Sequence, residues 1–271
     1  MAGYVCTIAS GKGGVGKTTS AVNIAAVLEA NGYDTAVVDA DLEMANLGEM
    51  IDVEHDGSLH GVLAGDRAVS EVLTDAQGGI TAVPGERSLE AYAEADPAKL
   101  RDVIGTLRDA YDVVLVDTGA GLSHETAVPL GLADGILLVT TPDDVSVTDT
   151  AKTVDLAERV DGTVIGVLVT RATRDTDVPA TVGDLDVPVV GVVPVDAEAT
   201  ASEPLVLDAP DSDAADAYRE VTAALQRVFF EGASGADLEP AVDGTERVED
   251  KPEEKANEDE DDGGVFGGLF G

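Results

Sequence analysis

The stretch SGKGGVGKTT at residues 10–19 follows an apolar run, YVCTIA at 4–9, and leads into a segment of helical spacing at 17–31. Four glycines between residues 11 and 16 leave the backbone free where a strand has to turn at once into a helix. A join of this kind opens a crossover unit on a parallel sheet, and it narrows the choice of fold more than any other part of the chain. The remainder agrees with it. Further runs rich in Val and Ile occur at TAVVDA (35–40), GITAVP (79–84), DVVLVD (112–117), GILLVT (135–140), TVIGVLVT (163–170) and VPVVGVV (187–193). They are continuous rather than alternating, as in strands covered on both faces. Helical spacing returns at 97–110, 124–132, 146–160 and 212–230. The expectation is an α/β fold, a mainly parallel doubly wound sheet forming one domain over residues 1–231. Ligands of such sheets bind at the carboxyl ends of the strands, where this chain puts Ser10, Asp39, Asp117, Thr140 and Thr170.

Two motifs compete for the loop. Gly11, Gly13 and Gly16 fit the dinucleotide pattern G-x-G-x-x-G, with Asp39 at the end of the next strand as a ribose acid. Gly11, Gly16, Lys17 and Thr18 also fit the phosphate-binding loop G-x-x-x-x-G-K-[ST]. The second reading is the more specific, because the first leaves Lys17, Thr18, Asp41 and Asp117 without a task. It has the backbone N–H groups of Gly11 to Thr19, through Gly14 and Val15, cradle phosphates, with Lys17 on their outer oxygens and the Thr18 hydroxyl on Mg²⁺. Asp117, at the end of DVVLVD, stands where such folds place an acid for Mg²⁺, although a lone strand-end Asp otherwise reads as a helix cap or turn residue. Asp39 would lie against the Mg²⁺ shell and Asp41 beyond it, orienting the attacking water, where a solvated loop acid is the plain alternative. Lys12 is one of only six lysines, and its neighbours Gly11 and Gly13 offer it nothing to pack against. Such a lysine reaches outward to a phosphate on another subunit, stabilising transition-state charge in trans, or is merely solvated.

Composition bears on the setting. The chain has 271 residues and a net charge of −38, with 54 acids against 16 Lys and Arg. The excess extends through the whole sequence, which suits a halophilic protein in molar salt, where screening makes self-repulsion tolerable. A single cysteine, Cys6, leaves no disulfide framework and no C-x-x-C pair for an iron–sulfur carrier. With no basic leader and no run of 18 apolar residues, the expected location is cytoplasmic. Residues 232–262 read as an acidic, disordered linker. The final GGVFGGLFG (263–271) turns apolar again and, if helical, would bring Val265, Phe266, Leu269 and Phe270 onto one face, an expected membrane-binding motif at the inner side of the cell membrane, with a partner-binding or inert tail as the plain alternative.

KGGVGKTT, the strand-end VVDAD, VDTGAG, TTPDDVSVTD and VVGVVPVD together resemble the MinD and ParA family of deviant Walker A P-loop ATPases, nearest its MinD branch, over residues 1 to about 230. The resemblance implies ATP and Mg²⁺ as cofactors, slow hydrolysis stimulated by a partner, and an ATP-dependent homodimer in which Lys12 contacts the partner's nucleotide. It further implies that Asp39 and Asp41 form a first switch and Asp117 to Gly121 a second, and that Pro194 to Asp196 lie near the base and ribose. DTGAG departs from the pattern in lacking the proline often found in that second switch. Family members act as spatial switches that position cell-division or other machinery, cycling on and off a surface. A partition ATPase on DNA is disfavoured by the scattered bases Arg159, Arg171, Arg174, Arg219 and Arg227. A scaffold that binds nucleotide without turnover is disfavoured by the presence of Lys12 and Asp41.

Overall fold

The computed structural model describes residues 2–196 and 203–238, so the apolar motif at 263–271 lies outside the described residues. Eight strands, β1 (Tyr4–Ala9), β2 (Thr35–Ala40), β3 (Thr74–Asp75), β4 (Thr81–Val83), β5 (Val113–Thr118), β6 (Gly135–Thr140), β7 (Val164–Ala172) and β8 (Val189–Pro194), form one sheet in the order β3-β4-β2-β5-β1-β6-β7-β8. Every neighbouring pair is parallel except β3 and β4. The expected doubly wound α/β sheet is therefore present, with one antiparallel edge that two residues of sequence do not announce.

Five longer helices cover it: α1 (Lys17–Ala30), α2 (Leu100–Ala110), α3 (His124–Leu132), α4 (Asp144–Arg159) and α5 (Asp213–Glu231). On one face α1 and α5 pack Ile24, Leu28, Tyr218 and Leu225 against Leu115 and Leu137 of the sheet. On the other, α2 packs Val103 and Leu107 against Val114 and Val116, and α4 places Ala157 with Ile136 and Val167. Apolar cover on both sides is why the strands read as unbroken Val and Ile. It also explains the contrast between two helices. α2 carries Leu100, Val103, Ile104 and Leu107 along one stripe, whereas α1, enclosed by sheet and α5, buries Ala21, Val22, Ile24, Ala25 and Leu28 around most of its circumference.

Gly232 ends α5 in the left-handed region at φ 74° and turns the chain back toward the sheet. Gly235 then lies against the backbone of Ile165, and Leu238 joins the core. The packed chain thus continues past residue 231, where the sequence pattern stops, because a single leucine in an acidic stretch carries no period.

Candidate nucleotide site

β1 lies between β5 and β6, and the chain leaves its carboxyl end through the Ser10–Gly16 loop. Gly14 and Gly16 adopt φ of 76° and 95°, a region that costs residues with a Cβ. Gly11 is required for a different reason, since a Cβ there would run into the backbone carbonyl of Asp149 in α4. Three further contacts fix the loop. The Thr170 hydroxyl, near the end of β7, shares its hydrogen between the carbonyls of Val15 (2.6 Å) and Thr140 (3.1 Å), the Gly121 N–H donates to Ser10 O (3.3 Å), and the Ser20 hydroxyl donates to Gly16 O (2.7 Å). Gly13 stands beside Ala120, and Val15 is buried. No side chain caps the amino end of α1, so its first N–H groups remain available to an anion.

Lys17 and Thr18 begin α1 and are both buried. The Thr18 hydroxyl lies 2.5 Å from Asp117 Oδ2 and 3.1 Å from Asn46 Oδ1. Asp117 Oδ1 is buried with no hydrogen-bond partner. Burial first, and then the charge of Asp39, push the Asp117 carboxyl up to about 7, opposed by Lys17 and the Thr18 hydrogen bond. Asp39 is the register partner of Asp117 on β2, so two carboxylates face one another across adjacent strands. Its pKa is also raised, by burial before all else, and the N–H of Leu47 counters this. Both Asp39 oxygens are engaged by the following loop: Oδ1 accepts from Asp41 N–H (3.3 Å), Oδ2 from Asn46 N–H (3.0 Å) and Leu47 N–H (2.9 Å). Of the two acids, Asp117 has the oxygen left over for a cation. Asp41 accepts from Met44 N–H at 2.9 Å and lies against Gly119 of the loop after β5.

A cleft of about 540 Å³ is lined by Gly13, Gly16, Lys17, Thr18, Asp41 and Gly119 among others, with Asp39 and Asp117 buried outside its lining. A second cleft of about 390 Å³ holds Pro194 and Asp196 with Glu203 and Tyr218, and Gly16, Thr19 and Arg171 line both. The two clefts are therefore contiguous. Sequence reasoning passed over Glu203, whose carboxylate accepts from Asn23 Nδ2 (2.6 Å), Leu205 N–H (3.0 Å) and the Thr19 side chain. One acid among many gave no signal. Arg171, next to the strand-end Thr170 and at φ 55°, had a signal in its position.

Lys12 donates to Asp143 Oδ1 at 3.2 Å within its own chain, a half-exposed pair. Asp143 caps α4 and is held down at about 2 by the Thr141 hydroxyl first and the Ser146 N–H next, with Lys12 a smaller cause. Met44, Leu122, Val145 and Val195 follow the carboxyl ends of β2, β5, β6 and β8, and all four are exposed by half or more.

A glycine loop clamped at the switch point of a parallel sheet and facing an open helix terminus defines a nucleotide-binding domain of P-loop type. Residues 6–204 match the CbiA family, the CobQ/CobB/MinD/ParA nucleotide binding domain, and the chain belongs to that family. An uncharacterised ATP-binding protein of Methanocaldococcus jannaschii is 37% identical over 83% of this chain and 88% of its own. Among solved structures, the cell division ATPase MinD of Pyrococcus furiosus is 33% identical with a TM-score of 0.79, covering 83% of this chain and 99% of that one. The septum site-determining protein MinD of Pyrococcus horikoshii, complexed with Mg-ADP, is 31% identical with a TM-score of 0.78, covering 85% and 98%. The expected MinD and ParA kinship is borne out.

Proposed function

We propose that the protein is a Mg²⁺-dependent ATPase of MinD type that dimerises on ATP, attaches to the inner face of the cell membrane as a dimer, and so serves as a spatial switch for cell-division or other machinery. The observation that carries the reading is the partnerless buried oxygen of Asp117 beside the Thr18 hydroxyl, under a loop built for phosphate. An ionised carboxylate left so is costly, and a cation held jointly with phosphate oxygens removes the cost. Mg²⁺, when bound, supplies charge neutralisation of the phosphates.

Thr18 and Asp117 hold the metal, with Asp39 behind them shaping the loop that carries Asp41. The N–H groups of Gly13 to Thr19 and the Lys17 ammonium bind the phosphates, while Pro194 and Asp196 flank the base and ribose. Asp41 orients the attacking water. Lys12 leaves Asp143 and crosses to the partner's nucleotide, and the four exposed apolar side chains around the loop support a self-association face there. No helix among the described residues is long and apolar enough to cross a membrane. Attachment falls to Val265, Phe266, Leu269 and Phe270, two copies per dimer binding where one is too weak.

The test is purified full-length protein in molar KCl. Lys17→Ala should lose nucleotide, whereas Lys12→Ala should bind it without turnover; normal hydrolysis by Lys12→Ala refutes the action in trans. Liposomes should sediment the wild type only with ATP and should not sediment Phe266→Ala/Phe270→Ala. Equal pelleting of the two proteins rejects the membrane motif.

A further inference from the structure

The loop carrying Asp41 is held by a buried residue that does not line the cleft. We propose that His60 is a positioning residue for hydrolysis, its Nε2–H holding the carbonyl of Leu42 and thereby the peptide next to Asp41; the proposal rests on the ATPase reading. His60 is fully buried, on the short helix Leu59–Ala64. Its Nδ1 lies 3.2 Å from the backbone N–H of Glu86, and its Nε2 lies 2.9 Å from Leu42 O. A backbone amide can only donate, so Nδ1 is the bare nitrogen and Nε2 bears the hydrogen. The ring is thus neutral and locked in one tautomer, with both nitrogens satisfied.

What lies on the far side of the ring is rigid. Leu59 N–H donates to Pro84 O (2.7 Å) and the Ser58 hydroxyl to Glu86 Oε2 (2.7 Å), so the helix and the segment after β4 form one unit. The same segment holds the Asp41 loop a second time, through Arg87 Nε on Ala45 O (2.6 Å). Asp41 lies immediately before the first of these anchors, its N–H on Asp39 Oδ1 (3.3 Å) and its carboxylate defined by the Met44 N–H and the wall at Gly119. A carboxylate that orients water is sensitive to displacement, and a shift of about 1 Å can lower a rate by about a hundredfold. Rotation of the Leu42 peptide would produce such a shift.

Two substitutions separate the roles of the nitrogens. The amide nitrogen of His60→Gln takes the place of Nε2 and keeps the donor to Leu42. His60→Asn is too short for that, yet its oxygen still accepts from Glu86. The expected result is a kcat lower by about tenfold or more for His60→Asn, with ATP affinity within about twofold, and recovery of most turnover in His60→Gln. Equal turnover of His60→Asn and wild type overturns the proposal, and so does His60→Gln as slow as His60→Asn. Long-range ¹H–¹⁵N spectra of the wild-type imidazole supply a readout that needs no variant to fold. The Nε2–H tautomer is expected, and an Nδ1–H tautomer overturns the bond to Leu42. A wild type that binds ATP but never turns over refutes the ATPase reading itself, a result distinct from all of these.

Discussion

Replacing Asp117 by asparagine should stabilise the ligand-free protein at pH 8 while removing its hold on a cation. In the fold the carboxyl titrates at about 7, against about 4 in an unfolded chain. Below pH ~4 both states are protonated and the group has no effect on stability. As pH rises from there, the unfolded chain releases its proton first, so stability falls until the folded pKa is passed, and above it the penalty is complete. Roughly three pH units correspond to at most ~4 kcal/mol for a site coupled to Asp39 and Lys17. Asparagine retains an acceptor for Thr18 but puts an amide N–H₂ where Oδ1 lacked a partner, at a cost of ~1–2 kcal/mol. The net gain is then ~2 kcal/mol at pH 8, or ~4–8 °C in Tm for a domain of this size, and close to nothing at pH 5. Thermal unfolding of both proteins in molar KCl with EDTA measures it. Adding Mg·ATP should reverse the order, because only the wild type gains binding energy. No gain at pH 8, or the same gain at pH 5, refutes the argument from the buried charge.

Thr170→Val removes the hydroxyl that clamps Val15 O and Thr140 O; it should cost ~1 kcal/mol in stability and several-fold in ADP affinity, measured by titration calorimetry. Gly11→Ala places a methyl against the Asp149 carbonyl, and the displaced loop should lose detectable nucleotide binding while circular dichroism stays native. Asp41→Ala should bind ATP and dimerise but hydrolyse it ~100-fold more slowly in phosphate-release assays; lost binding would move Asp41 into the metal shell.

The apolar runs at 4–9, 35–40 and 135–140 are β1, β2 and β6 to the residue, because a strand covered on both faces keeps Val and Ile throughout and polar residues mark its ends. The glycine loop was legible for a similar reason, each of its residues having a local task. What the sequence did not disclose depends on contacts between distant segments. The ring of His60 reads as an isolated histidine until Leu42 and Glu86 are brought to its two nitrogens. Glu203 meets Asn23 across 180 residues, and nothing near residue 203 marks it. Asp39 and Asp117 were both legible as strand-end acids, but their division of labour rests on which oxygen the backbone already occupies.

The clamp on the glycine loop also has a consequence for the order in which the chain becomes competent. Ser10 is tied to Gly121, Gly11 is seated on Asp149, and Val15 is held by Thr170, a separation of 155 residues. The motif is made first on the ribosome and its supports come much later. A nascent chain stopped short of β7 would display every letter of the phosphate signature and lack the bond that gives the loop its shape, so nucleotide cannot template the early stages of folding and can only reward their completion.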